Sequence, residues 1–596
     1  MKQFFKMFFA SMLAMIVTGV IVVAVFIGLI VAAISKSMKT EKQVIVAQNS
    51  VLVVDLDKKF HEVGEKNSFA AFANGDAYNA GLYDALKAID DAADDNNIKG
   101  ILIKLNGNAN GWATSQQLRK SLIDFRKSRK FVYAYGEDIS QGAYYVATAA
   151  DSVYLNPVGG MELKGFATVM PFFKGTLDKL EIQPEIFYAG RFKSATEPFR
   201  TDKMSDANRE QVTEFQKDFW NEFVKAVTEH TALSADQVQQ LTNSGAIQFP
   251  QDALSNKLVD GLMYWDQVES RIKAKTGTAE DKGIKYVTLD DYAENNRDEI
   301  VTGNNRVAIL FAEGEIKDGE SNDDYQIASQ SIIKQIRKLR NNDKIKAVVL
   351  RVNSPGGSAL ASEVILRELQ LLKAKKPLVV SMGDLAASGG YYISCQADSI
   401  FALPNTITGS IGVFGMMFNF ENALKNKLGV TFDGVKTAPY ADFPNATRAM
   451  TPDEAARMQR SVDNIYSIFK SRVAAGRKID PVMVDSIAQG RVWTGTDALQ
   501  IHLVDALGDL PRAVKSAASI AKLSDYKIVT YPAPVDKFET LLKRINGNTD
   551  EAAAKAMQSA MKSEMGEEYQ WYKRLKSLKD MSGKAMMLLP FEWETK

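Results

Sequence analysis

The stretch Ile98-Lys99-Gly100-Ile101-Leu102-Ile103-Lys104-Leu105-Asn106 returns 247 positions later (345 less 98) as Ile345-Lys346-Ala347-Val348-Val349-Leu350-Arg351-Val352-Asn353. Self-similarity at a fixed offset marks a duplicated unit, and the register holds far beyond these nine residues. Tyr144-Tyr145 falls on Tyr391-Tyr392, Asp151 on Asp398, Met204 near Met450, and Leu258-Val259-Asp260-Gly261 near Leu503-Val504-Asp505-Ala506. Two mismatches matter most. Ser388 faces Gln141, and Lys193 faces Ala441.

Each copy alternates strand-like apolar runs with helix-like ones. In the first, 101–105, 131–135 and 152–155 read as strands and 83–91, 116–127 and 209–229 as helices. That alternation predicts an α/β architecture with crossover connections. The first repeat spans 50–289 and a polar linker covers 290–305. The second repeat runs from 306 to 532, opening on Val307-Ala308-Ile309-Leu310-Phe311 and closing on Ile528-Val529-Thr530, an echo of Tyr286-Val287-Thr288. The rest, 533–596, is rich in Lys and Glu and reads as a helical C-terminal extension, over 551–565 and 569–581, ending in the apolar Met586-Met587-Leu588-Leu589-Pro590-Phe591. Its expected role is a packing or oligomer-contact arm.

No charge occurs between Met7 and Ser35. The run is long enough to cross a bilayer and longer than the ~7–15 apolar residues of a signal peptide. It predicts a transmembrane anchor over 8–34 behind a short segment, 1–7, which is cytoplasmic on the family resemblance given below. Lys2 and Lys6 before it and Lys36, Lys39 and Lys42 after it leave the orientation open. With 73 Lys and Arg against 72 Asp and Glu, no basic field points to nucleic acid. The single Cys395 forbids an internal disulfide and sits in an apolar run, where a small buried hydrophobe is expected.

In Ser381-Met382-Gly383-Asp384-Leu385-Ala386-Ala387-Ser388-Gly389-Gly390-Tyr391-Tyr392 a serine stands among residues with almost no side chain, just after an apolar strand. If a helix starts at Gly389, its free N–H groups point at the serine oxygen and at any oxyanion beside it. Alternatively Ser388 only caps that helix. A second loop, Asn353-Ser354-Pro355-Gly356-Gly357, could supply another backbone N–H, as acyl transfer requires. The matching stretch Asn106-Gly107-Asn108-Ala109-Asn110-Gly111 lacks the proline and the paired glycines.

A nucleophilic serine needs a base. Of the three histidines, His61, His230 and His502, only His502 lies in a plausible context, and its repeat counterpart is Lys257 in a segment that reads as structural. Lysine serves instead if burial lowers its pKa by several units. Lys193, in Phe187-Tyr188-Ala189-Gly190-Arg191-Phe192-Lys193-Ser194-Ala195, has apolar and small neighbours, whereas most lysines are solvated surface charges. The repeat favours Lys193: one half kept a serine, the other a lysine.

The motifs Asn353-Ser354-Pro355-Gly356-Gly357, Ala386-Ala387-Ser388-Gly389-Gly390-Tyr391, Thr408-Gly409-Ser410-Ile411-Gly412 and Lys193-Ser194-Ala195-Thr196-Glu197-Pro198-Phe199 resemble the long, duplicated form of the signal peptide peptidase A (protease IV) family, across nearly all of 51–530. The resemblance implies tandem ClpP/crotonase-like repeats and a membrane-bound serine endopeptidase with a Ser-Lys dyad. By position the nucleophile is Ser388 and the general base Lys193, with oxyanion N–H groups from Gly389 and Gly356 or Gly357. Ser410 either orients the lysine or caps a helix.

The resemblance also implies the bacterial cytoplasmic membrane with the catalytic repeats on its outer side, a homotetramer, and substrates that are cleaved signal peptides and other apolar peptides. It calls for no cofactor, metal or nucleic acid. Two alternatives are a crotonase-type acyl-CoA enzyme, with Asp384 as the nearest carboxylate, and an inactive membrane scaffold.

Overall fold

The computed structural model describes residues 46–66, 78–295, 304–320, 325–532, 535–536 and 585–589, with five positions between 15 and 22. Apart from those five, the anchor expected over 8–34 lies outside the described residues, as do 1–7 and the helices expected over 551–565 and 569–581. Among the described residues no helix is long and apolar enough to cross a membrane.

The strands that position the site in the first repeat are β1 (Ser50–Asp55), β2 (Ile98–Lys104), β3 (Phe131–Ile139), β4 (Ser152–Met161), β5 (Gln183–Ala189), β6 (Gly261–Leu262) and β7 (Tyr286–Thr288). All but β5 form one parallel sheet in the order β6-β4-β3-β2-β1-β7. In the second repeat they are β8 (Arg306–Glu313), β9 (Glu315–Lys317), β10 (Gln326–Ala328), β11 (Ile345–Ser354), β12 (Gly356–Ser358), β13 (Leu378–Ala387), β14 (Ile407–Gly409), β15 (Val413–Asn419), β16 (Val492–Thr494) and β17 (Lys527–Tyr531). The main path of its sheet is β16-β14-β13-β11-β8-β17, parallel except for β16. Near-continuous apolar runs such as Ala347 to Leu350 are buried on both faces, as central parallel strands require. The duplication extends to detail: β1/β2 and β8/β11 share a register irregularity at their first pair.

A third sheet belongs to both repeats. Its order is β10-β9-β12-β18-β15-β5, where β18 is Ala585–Leu588, from the C-terminal segment. β5 of the first repeat pairs antiparallel with β15 of the second over seven residues, from Val413↔Ala189 to Asn419↔Gln183. β18 lies antiparallel between β12 and β15.

The helices expected over 551–565 and 569–581 are not among the described residues of the extension, which are strand at Ala585–Leu588 and at Val535–Asp536, paired with Glu65–Lys66. Met586 packs among Phe414, Met416 and Phe418 with Leu588 beside it, while Met587 and Ala585 face the core of the second repeat. That two-residue alternation suits a strand lodged between two others. The linker also begins differently. Leu289–Asn295 is helix, because Leu289, Tyr292 and Ala293 form an apolar stripe against the first repeat.

Polar contacts fix the repeats against each other. Asp384 accepts from Thr114 N at 2.9 Å and Thr114 Oγ1 at 2.6 Å, and Gln116 Oε1 accepts from Asn405 N at 3.1 Å. Arg351, fully buried on β11, donates from Nε to Glu62 at 2.9 Å and from Nη1 to Ser381 Oγ and the Met382 carbonyl. Its counterpart Lys104 is half-exposed and stands 3.8 Å from Asp55.

Removing one partner of a buried pair strands a charge. Arg351→Met should cost about 3–5 kcal/mol of unfolding free energy, read as a fall in denaturant midpoint. Arg351→Met with Glu62→Leu should recover most of it, and failure to recover would assign the loss to packing.

Candidate active site

Lys193 lies just past β5, in a turn closed by Lys193 N donating to the Gly190 carbonyl at 3.1 Å and Ser194 N to that of Phe192 at 2.8 Å. Gln211, on the helix Asp206–His230, donates from Nε2 to the Phe192 carbonyl at 3.2 Å and to Ser194 Oγ at 3.0 Å. The buried Glu197 carboxylate accepts from Ser205 Oγ at 2.6 Å and Asn208 Nδ2 at 2.9 Å. From the second repeat, the Gln489 carbonyl accepts from Phe192 N at 2.7 Å. The turn is therefore held by both repeats.

Ser388 directly follows β13 in the left-handed half of conformational space, at φ 54° and ψ −111°. Such a conformation costs a non-glycine residue of order 1–3 kcal/mol and persists only where the surroundings fix it. Here Ser388 N donates to the Gly409 carbonyl and the Ser388 carbonyl accepts from Tyr392 N, both at 2.8 Å. Its hydroxyl does not cap the helix Gly389–Ser394. Instead Ser388 Oγ stands 2.9 Å from Lys193 Nζ, which also lies 3.0 Å from Ser410 Oγ and 3.4 Å from the Ser410 carbonyl. Ser388 and Ser410 are 0 % exposed and Lys193 1 %. Burial pushes the Lys193 ammonium well below the ordinary lysine value of 10.5, and among the described residues no carboxylate pairs with it.

The first repeat has an ordinary helix cap at the matching place. Ser140, at φ −66°, accepts from Ala143 N, and Gln141 binds backbone, its Oε1 accepting from Lys164 N and Gly165 N and its Nε2 donating to the Gly165 carbonyl. An amide that holds a chain segment has replaced the serine. The segment around Ala441, opposite Lys193, is an exposed loop.

Of the two glycine amides singled out, Gly389 N–H has no acceptor among the described residues. Gly356 N–H donates to Ser354 Oγ at 3.1 Å. Gly356 has φ 99°, and a side-chain carbon there would lie 2.7 Å from Gly389 N and overlap the Met587 carbonyl, so only glycine lets the two loops meet. The histidines have other partners. His61 Nδ1 pairs with Glu313 at 2.8 Å, His230 ends its helix, and the His502 carbonyl accepts from Arg477. Asp384, the carboxylate of the acyl-CoA alternative, is taken up by Thr114.

Sequence reasoning missed Glu197, Asn208 and Gln211, which brace the lysine turn, and Gly490. Gly490, at φ 74°, lies against the Lys193 backbone: an added side-chain carbon would stand 2.7 Å from Lys193 Cβ and 2.8 Å from Lys193 N. The available signal was a glycine in Gln489-Gly490-Arg491-Val492, but nothing along the chain ties it to a residue almost 300 positions earlier.

Comparison with known proteins gives a consistent picture. The pattern of "Peptidase family S49" matches residues 124–278 and 370–524, one segment in each repeat, and that of "Clp protease" matches 298–408. "Protease 4" of Salmonella typhi is 38% identical over 539 residues, covering 88% of this chain and 86% of that one. "Protease 4" of Haemophilus influenzae is 35% identical over 512 residues, covering 83% of each. "Serine protease SPPA, chloroplastic" of Arabidopsis thaliana is 31% identical over 445 residues, covering 74% of this chain and 65% of that one.

Gly490→Ala should push Lys193 away from Ser388. A displacement near 1 Å lowers turnover by about 100-fold, so peptide hydrolysis should fall on that scale while the circular dichroism spectrum stays that of the parent. Unchanged hydrolysis would show that Gly490 does not position the lysine.

Proposed function

The chain belongs to peptidase family S49 and is a serine peptidase, and on that premise we propose that Ser388 is its nucleophile and Lys193 its general base, acting on signal peptides and other apolar peptides at a membrane. One observation carries the reading: an amine with no counter-ion among the described residues stands 2.9 Å from a serine hydroxyl in a fully buried pocket. An unpaired amine is tolerated there as the neutral form.

Neutral Lys193 has two N–H bonds and one lone pair. The Ser410 carbonyl can only accept, and Ser410 Oγ has its own acceptor in the Gly490 carbonyl at 3.5 Å. Both lysine N–H bonds are therefore used on Ser410, and the lone pair faces Ser388 Oγ–H. Ser410 is then a positioning residue. Ser388 Oγ attacks the peptide carbonyl as its proton passes to Lys193 Nζ, and the C–O bond forms. The developing oxyanion meets the free Gly389 N–H, with Gly356 N–H as second donor once it leaves Ser354 Oγ. Lys193 returns the proton to the departing amine as the C–N bond breaks, and water then hydrolyses the acyl-enzyme by the same route in reverse.

The acyl-CoA alternative lacks its carboxylate, since Asp384 is engaged between the repeats. Membrane attachment rests on the uncharged run from Met7 to Ser35, and it would bring apolar peptides within reach of the site. Assembly as a homotetramer is supported by a segment of the second repeat that exposes Leu428, Phe432 and Val435 together, the kind of patch that marks a protein contact.

Ser388→Ala and Lys193→Ala should each lower peptide hydrolysis by at least about 1,000-fold, and a fluorophosphonate should label the parent at Ser388 only. Turnover by either variant near the parental rate would remove the dyad. A second test is pH. The base works deprotonated, so the rate of fluorophosphonate labelling should rise with pH through a midpoint well below 10.5. Between that midpoint and the ordinary lysine value the unfolded chain binds a proton the folded chain does not, so this lysine makes stability rise with pH over the same interval.

A further inference from the structure

We infer that Ser354 is a positioning residue: its hydroxyl fixes the orientation of the Pro355–Gly356 peptide, so that an N–H rather than a carbonyl is offered to the developing oxyanion. The inference rests on Ser388 and Lys193 being the catalytic pair, with Gly356 N–H as an oxyanion donor. Ser354 closes β11 and is 0 % exposed. Its backbone is fixed in the sheet opposite Ala386, two residues before Ser388.

The hydroxyl has one proton, and that proton is committed. Ser354 Oγ donates to the Gly314 carbonyl at 2.6 Å. Gly314 is itself held: its N–H donates to the Asn353 carbonyl at 2.9 Å, and at φ 94° a side-chain carbon there would overlap the Tyr325 carbonyl. Asn353 is fixed in turn, its Oδ1 accepting from Leu385 N at 3.1 Å. With its proton spent, Ser354 Oγ can only accept, and it accepts from Gly356 N at 3.1 Å.

That one-way arrangement selects the peptide's orientation. Were the Pro355–Gly356 peptide turned over, its carbonyl would face the lone pairs of Ser354 Oγ, oxygen against oxygen. Turning the hydroxyl proton to meet it would take from the Gly314 carbonyl the donor it has now. The opposite edge of the same peptide agrees, since the Pro355 carbonyl accepts from Leu589 N at 2.7 Å. As the reaction proceeds, Gly356 N–H exchanges a neutral hydroxyl for a developing negative charge, the stronger acceptor. The Ser354 proton stays on Gly314 throughout, so the exchange strands no buried donor.

The first repeat lacks the device. In the repeat register Ser354 falls on Gly107 (354 less 247), where no hydroxyl exists and an Asp57 carboxylate oxygen lies 2.3 Å from the place a side-chain carbon would take. The copy without Ser388 is also the copy without this hydroxyl. In the second repeat Ser354 is packed against the first turn of the helix behind the nucleophile. A side-chain carbon on Gly390 would lie 2.8 Å from the Ser354 carbonyl oxygen and 3.3 Å from Ser354 Cβ, which ties the place of Ser354 to that of Ser388.

The test uses the full-length chain. Ser354→Ala should lower kcat for peptide hydrolysis about 100-fold, the low end of what losing one oxyanion donor costs, with KM unchanged. Lys193, Ser388 and Ser410 are untouched, so the pH midpoint of fluorophosphonate labelling should stay at the parental value, whereas a structural loss that opened the pocket would move it. Ser354→Thr keeps the hydroxyl and should recover most of the lost kcat. A kcat for Ser354→Ala equal to the parent's or above it would overturn the inference, the second by showing that the hydroxyl only withholds the donor. So would a shifted midpoint, or Ser354→Thr as slow as Ser354→Ala. Ser388→Ala separates the two readings. If it hydrolyses peptide at the parental rate the dyad fails; if it is dead while Ser354→Ala runs at the parental rate, only the role of Ser354 fails.

Discussion

A lysine amine kept out of water with no negative charge beside it is the constraint on which the rest of the structure depends. Charging that nitrogen in a buried pocket costs several kcal/mol, so the folded state favours the form that can accept a proton. The preference lasts only while the pocket stays dry and its two acceptors stay on Ser410. Helix Asp206–His230 bracing the turn through Gln211, Gly490 lying flat on the Lys193 backbone and the seven-residue pairing of β5 with β15 all serve that end. They come from both repeats, because the pocket is the seam between them.

The seam also explains why the two copies could lose different things. At Gln141 the first copy has a backbone clamp on residues 164–165 where the second has Ser388. The second copy lets the segment opposite the lysine turn become an exposed loop. What remains is one composite sheet whose β5 edge brings the lysine and whose β12 and β15 edges bring the glycine loop and Ser410. The lysine of one half and the serine of the other come together where these edges meet.

Much of this was legible along the chain. The offset between Ile98 and Ile345 exposed the duplication, the apolar runs its parallel strands, and the mismatches at Gln141 and Ala441 the division between serine and lysine. Period and spacing report local structure and repeated structure well. They do not report which face of one repeat meets which face of the other. Hence Arg351 looked equivalent to Lys104, although one is buried against Glu62 and the other half-exposed beside Asp55. Gly490 and the Glu197 network were hidden for the same reason. The apolar end 586–591 was read without a conformation, because a short apolar run takes its strand form from the neighbours it pairs with, not from its own sequence.

The contact between Gly490 and Lys193 has a consequence for the order of synthesis. A chain emerging from the ribosome presents the first repeat, lysine included, long before the residues that shut the lysine away from water exist. Until position 492 has been made, Phe192 N lacks the Gln489 carbonyl and Gln211 Oε1 lacks Val492 N. Domains fold as they appear, N-terminal first. The nascent first repeat can therefore fold before the residues that bury Lys193 exist. On the dyad proposed above, proteolytic competence arrives late, after the second repeat has been made.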